Sequence, residues 1–160
     1  MTDIKAIHWF RQDLRLSDNP SLHHASKNDH ILPVYILDNE NSGDFSMGGA
    51  SRFWLHHSLK SLNENLNNNL SLYQGDPLKT LLDIIDRNNI SAVYWNRCYE
   101  PWRIKRDTEI KSVLESKGIS VFTYNGSLLW EPWTIKKADG TPYKVFTPFY
   151  RKGCLNSEEP

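Results

Sequence analysis

The sequence predicts an α/β protein built on a doubly wound parallel sheet, and two observations support this fold class. Five short runs of β-branched and aromatic residues predict strands, and their near-continuous apolar character is typical of strands covered on both faces. Helical patterns lie between these runs, and such alternation indicates right-handed crossovers. The predicted strands are residues 4–10, 31–37, 70–73, 92–96 and 119–124.

The connections between the strands carry helix signals. Asn19 and Asp76 each stand directly before a proline, which predicts a capping side chain followed by the first helical residue. Gly118 predicts the end of a helix that begins near Arg103. Two apolar stripes at helical spacing predict buried helix faces, namely Leu55, Leu59, Leu62 and Leu66, then Leu78, Leu81, Leu82 and Ile85.

Composition excludes several classes of protein. The chain has 160 residues, 39% of them hydrophobic, and no apolar run approaches the roughly 20 residues that span a bilayer. Nineteen basic residues balance nineteen acidic ones, so we expect the chain by itself to bind DNA weakly or not at all. Two well-separated cysteines and the lack of an N-terminal secretory signal predict a cytoplasmic protein.

The loop after the first strand is the first candidate site. It contains no glycine, which excludes a G-x-G-x-x-G dinucleotide turn and a Walker phosphate loop. Arg11, Asp13 and Arg15 offer guanidinium and carboxylate groups there instead. These groups either contact an anionic or polar ligand or form an ion-pair network that fixes the loop. Asp18 and Asn19 are interpreted as helix caps.

Other candidates follow later strands. Arg52 comes after two glycines in the first turn of a predicted helix, which is either an anion-binding corner or a flexible turn. Asp38 belongs to a polar loop, residues 37–43, that could cover a crevice. Residues 99–102 combine aromatic rings with the carboxylate of Glu100, a combination that can stack on and orient a flat heteroaromatic ring. The six histidines form no metal-binding pattern.

Four ordered sequence blocks resemble the N-terminal domain of DNA photolyases and cryptochromes. They are WFRQDLRLSDN at 9–19, SRFWL at 51–55, WNRCYEPW at 95–102, and NGSLLWEPW at 125–133 leading to VFTPFYR at 145–151. The resemblance implies a Rossmann-like sheet with strand order 3-2-1-4-5. A ligand crevice would then open at the carboxyl ends of strands one and four, where Arg11 and Asn96 lie.

The resemblance also implies a domain division and an antenna site. Residues 1–126 would form the α/β antenna domain, and residues 127–160 an irregular segment leading to an interdomain linker. The implied chromophore is methenyltetrahydrofolate, with deazaflavin or FMN as alternatives. Trp102 and Arg103 replace an Asn-Glu pair of one folate-binding pattern, so we expect stacking on aromatic rings to dominate. The cofactor-binding candidates are Phe10, Arg11, Asp13, Asp38, Arg52, Asn96, Tyr99, Glu100 and Trp102.

The implied parent enzyme is a deoxyribodipyrimidine photo-lyase that repairs cyclobutane pyrimidine dimers by light-driven electron transfer from FAD. The FAD and the ultraviolet-damaged DNA would be bound by a C-terminal domain that is absent here, so we expect this chain alone to be catalytically silent. We expect no membrane partner and no metal. Two alternatives stay open: a cryptochrome-type blue-light receptor and, less compatible with the glycine-free loop, an unrelated nucleotide-binding module.

Overall fold

Five parallel strands form the sheet of the computed structural model, which describes residues 5–159. Their order is β3-β2-β1-β4-β5, which confirms the predicted fold class and strand order. Ile4, predicted to begin the first strand, lies outside the described residues. The strands are β1 (Lys5–Phe10), β2 (His30–Leu37), β3 (Ser71–Gln74), β4 (Ala92–Asn96) and β5 (Ser120–Tyr124).

Four helices connect the strands, and their starts agree with the capping signals. The helices are α1 (Pro20–Ala25), α2 (Gly49–Asn65), α3 (Pro77–Asn88) and α4 (Pro101–Ser116). The Asn19 side chain accepts a hydrogen bond from the backbone N–H of Leu22, and Asp76 accepts from Lys79, so both predicted N-caps are confirmed. Asp18 is no cap, because it occupies a turn with a positive φ of 49°. Helix α4 begins two residues earlier than predicted because Pro101 fits the first helical position.

The helices cover both faces of the sheet. On one face, Phe10 of β1 packs against Leu62 of α2, and Ala6 packs against Ala25 of α1. On the other face, Trp9 shares a core with side chains of α3 and α4. Adjacent residues of a strand point to opposite faces, so this division follows from the alternation along β1. Both predicted apolar stripes, on α2 and on α3, contribute to these cores.

The chain divides into two compact units between Gly126 and Ser127. The second unit contains short helical turns at Phe146–Pro148, Phe149–Gly153 and Cys154–Asn156. Within it the backbone packs closely at Gly153, where an added Cβ would lie 2.5 Å from Ile135 Cγ2. Across residues 5–159, no helix has both the length and the apolar character needed to cross a membrane.

Candidate functional site

A cleft of about 850 Å³ opens at the carboxyl ends of β1 and β2, between the first turns of α2 and α4. Its lining is rich in aromatic rings and in guanidinium groups. The rings belong to Trp9, Tyr35, Phe45, Trp54 and Trp102. The guanidinium groups belong to Arg11, Arg15, Arg103 and Arg106. This combination suits a flat aromatic ligand that carries hydrogen-bond acceptors or negative charge.

A buried ion-pair network holds two of these arginines. The Arg106 guanidinium donates to Asp38 at 2.9 Å and to Asp107 at 2.7 Å. Arg11 pairs with the other oxygen of the Asp107 carboxylate, and it also donates to the backbone carbonyl of Asn96. Asp107 therefore bridges the two guanidinium groups, and through Arg11 it ties α4 to the ends of both β1 and β4.

The network shifts the pKa values of Asp38 and Arg106. Burial by itself would raise the pKa of the Asp38 carboxyl, but hydrogen bonds from Asn41, Arg106 and Glu40 lower it below its ordinary value. Burial opposes the charge of Arg106 as well, yet the carboxylates of Asp107 and Asp38 raise its pKa above the ordinary value. Both groups are therefore charged at neutral pH.

Guanidinium groups lie over the two indole rings nearest to this network. Arg106 Cζ is 5.1 Å from the Trp9 ring centroid and 5.2 Å from that of Trp102. Arg11 Cζ lies 5.2 Å from Trp9, and Arg103 Cζ lies 4.7 Å from Trp102. These distances are within the range of cation–π attraction, which fixes the rings and the cations relative to one another.

Several buried polar atoms of cleft-lining residues have no hydrogen-bond partner within the described part of the chain. They are Trp9 Nε1, Arg11 Nε and Ser42 Oγ. Trp9 is 1% exposed and Ser42 is 5% exposed, so a protein partner would be expected for each. Because the indole and guanidinium nitrogens can only donate, they match a ligand that presents acceptor atoms.

Four of the nine candidate residues lie in or beside the cleft. Arg11, Asp38 and Trp102 line it. The carboxylate of Glu100 accepts a hydrogen bond from Gln12 at 2.9 Å, and both Gln12 and Arg103 are lining residues. Burial would raise the pKa of Glu100, but its hydrogen bonds and the charge of Arg103 lower it.

Phe10, Asp13 and Asn96 lie outside the cleft lining. Phe10 is fully buried against Tyr35 and Leu62. The Asn96 amide donates to Asp13 at 2.6 Å and to Asn19 at 2.7 Å, which fixes the loop between β1 and α1. The predicted meeting of the ends of β1 and β4 is thus present, but the buried side chains there contact one another.

Arg52 and Tyr99 contact neighbouring loops. Arg52 donates to the Met47 carbonyl at 2.9 Å and to the Asn39 side chain at 3.2 Å, so it joins the loop after β2 to the start of α2. The Tyr99 hydroxyl donates to Asn125 Oδ1 at 3.3 Å. Neither side chain lines the cleft.

Sequence reasoning missed Trp9, Trp54 and Arg106 as cleft residues. Trp9 lies at the carboxyl end of the first predicted strand, beside the predicted crevice, but it is not among the nine candidate residues. Trp54 lies on a helix whose core stripe is leucine. Arg106 carries the one usable signal, because it follows Trp102 by four residues on α4 and such residues share a helix face.

The sequence of this chain is similar to those of known proteins of one family over almost its whole length. The family model for DNA photolyase matches residues 6–160. The chain is 40% identical over 158 residues to a deoxyribodipyrimidine photo-lyase of Agrobacterium fabrum, covering 96% of this chain and 32% of that protein. It is 39% identical over 158 residues to cryptochrome-2 of Arabidopsis thaliana, covering 96% of this chain and 26% of the relative.

Solved structures show the same similarity. A bacterial class III photolyase from Agrobacterium tumefaciens matches with a TM-score of 0.90 and 38% identity, over 100% of this chain and 33% of that one. An archaeal photolyase from Sulfolobus tokodaii, described with two FAD molecules and a novel light-harvesting cofactor, matches with a TM-score of 0.77 and 28% identity, over 96% of this chain and 35% of that one. The chain spans about a third of the length of these structures. Together with the sheet order, these matches show that the chain belongs to the DNA photolyase family.

Proposed function

We propose that this chain is the antenna domain of a photolyase and that its cleft binds a light-harvesting chromophore. The observation that carries the proposal is the set of buried donors without protein partners in a cleft walled by indole rings. A polar cleft that served only to pack the fold would satisfy these donors internally. The light-harvesting cofactor named for the archaeal relative is consistent with this role.

The residues of the cleft fit a planar chromophore. Trp102 and Trp54 supply aromatic surfaces, each worth about 0.5–1.5 kcal/mol in a well-placed ring contact. Trp9 Nε1 and Arg11 Nε would donate to acceptor atoms on the ring, and Ser42 Oγ could donate or accept. Arg103 and Arg15 would attract a negatively charged tail. When bound, the chromophore would absorb near-ultraviolet or blue light and pass its excitation to FAD.

Methenyltetrahydrofolate, a deazaflavin and FMN are the three chromophores to compare. Purified chain titrated with each should show saturable binding and a shifted absorbance band for one of them. Trp102→Ala should weaken that binding about tenfold, because it removes a stacking surface. Phe53→Ala is the matched control, since Phe53 is 67% exposed on α2 and does not line the cleft. Equal loss in both variants, or no binding of any chromophore, would contradict the proposal.

For the whole protein we propose repair of cyclobutane pyrimidine dimers by light-driven electron transfer from FAD. We further propose that a C-terminal domain binds the FAD and the damaged DNA, so that the 160-residue chain alone shows no repair. Similar identity to cryptochrome-2 supports a second candidate, a blue-light receptor without repair activity. Repair of dimer-containing DNA under near-ultraviolet light by a chain that includes the FAD domain would favour the photolyase. Its absence would favour the receptor.

A further inference from the structure

Guanidinium groups lie over two of the three indole rings in the cleft, and among the described residues none lies over the third. Arg103 and Arg106 lie 4.7 and 5.2 Å from the Trp102 centroid, and two guanidinium groups likewise lie over Trp9. Trp54 lines the same cleft, is 76% exposed, and has no guanidinium group over its ring among the described residues. The cations are therefore confined to the rings that adjoin the ion-pair network.

An indole ring beside an excited chromophore can donate an electron to it, and this electron transfer competes with energy transfer. The excited state of a flavin or pterin is a one-electron oxidant. Indole and phenol are the most easily oxidised rings in the cleft. Transfer of one electron leaves an indole radical cation and a reduced chromophore radical, and the excitation is lost. A cation over the ring opposes this step, because it attracts the neutral ring and repels the radical cation.

We propose that Arg103 and Arg106 protect Trp102 from one-electron oxidation by an excited chromophore in the cleft, so that excitation is passed on as energy. The inference rests on the proposed function for its biological role, but the effect of the arginine charges on the Trp102 ring does not depend on a bound chromophore. In the suppressed step, one electron leaves the Trp102 indole and reduces the excited chromophore. The resulting indole radical cation would then lose its ring N–H proton to water.

Arg103 provides the cleaner test of the two arginines. Arg106 also neutralises buried carboxylates, so its replacement alters the fold as well as the charge over the ring. The Arg103 side chain is 19% exposed at the start of α4, and its ion-pair partner is Glu100, whose side chain is 41% exposed. Solvent screens that carboxylate, so removing Arg103 mainly removes positive charge from the Trp102 ring.

The experiment compares Arg103→Met with Arg103→Lys. Both variants lose the planar guanidinium group, and only the lysine variant keeps a positive charge. Each chain is irradiated with blue light in air in the presence of free riboflavin, and oxidised Trp102 and Trp54 are quantified by peptide mass spectrometry.

We expect Arg103→Met to raise the oxidation of Trp102 relative to Trp54 by about threefold. This is the change in rate that corresponds to losing a cation–π attraction of the strength typical of exposed sites. Arg103→Lys should stay close to the original chain. An unchanged ratio in the methionine variant, or an equal rise in both variants, would overturn the proposal. Free riboflavin reaches the ring by collision, so this outcome does not depend on whether the cleft binds a chromophore. Failure of the titrations and failure of this inference are thus distinguishable.

Discussion

Replacing Arg106 by methionine removes the cation that Asp38 and Asp107 share. The Arg106 side chain is 8% exposed, and those of its two partners are 6% and 12% exposed. Methionine fills much of the same space but leaves two buried carboxylates facing one remaining cation, Arg11. The local charge therefore changes from neutral to one negative charge that water reaches poorly.

The expected destabilisation follows from this burial. Removing one partner of a buried pair costs about 3–5 kcal/mol, because the other charge is left without compensation. The exposed pair between Arg87 and Asp83 is the reference, since their side chains are 74% and 48% exposed. Arg87→Met should cost no more than about 0.5 kcal/mol.

Urea unfolding followed by circular dichroism measures both costs. With a slope of about 2 kcal/mol per molar urea, Arg106→Met should lower the midpoint by about 1.5–2.5 M. The double variant Arg106→Met with Asp38→Asn restores local neutrality, because Arg11 and Asp107 remain paired. It should recover about half of the loss. A cost under about 1 kcal/mol for the single variant, or a double variant less stable than the single one, would show that Arg106 does not compensate buried charge.

Two further predictions concern His8 of β1 and Gly126, which follows β5. Burial lowers the pKa of His8 from 6.5 to about 4. Between pH 6.5 and pH 4 the unfolded chain therefore binds a proton at His8 more readily than the folded chain does. The free energy of unfolding should fall by about 3 kcal/mol as the pH drops from 6.5 to 4. A free energy of unfolding that stays constant over this range in urea titrations would contradict the prediction. Gly126→Ala would place a Cβ 2.5 Å from Asn96 Cγ and should cost about 1–3 kcal/mol in the same assay. Gly49→Ala, with no atom within 4 Å of its added Cβ, is the control and should be near neutral.

The sheet was predictable because its signals are local. Apolar runs of the right length located all five strands to within one residue over the described chain, and side-chain caps located α1 and α3. The third strand was predicted at residues 70–73, whereas β3 spans Ser71–Gln74 in the structure. Leu70 packs into the core from the loop before the strand, so its apolar side chain extended the predicted strand by one residue. Strand order came from family resemblance, since periodicity alone does not say which strands are neighbours.

The site was predictable only in part, because the direction of a side chain beyond a strand end depends on its partners. Asp13 and Asn96 have the residue types of a polar site, yet each satisfies the other beneath the cleft. Arg106 was missed for the opposite reason. A charged residue on a predicted helix is expected on the solvated face, and only the fold brings Asp38 close enough to bury it.

The most direct test of the account is a crystal structure of the chain grown with whichever chromophore binds in the titrations. We expect electron density for the ring system inside the cleft and in contact with Trp102, with acceptor atoms within hydrogen-bond distance of Trp9 Nε1 and Arg11 Nε. Density for the chromophore at any other surface, with the cleft holding only water, would contradict it.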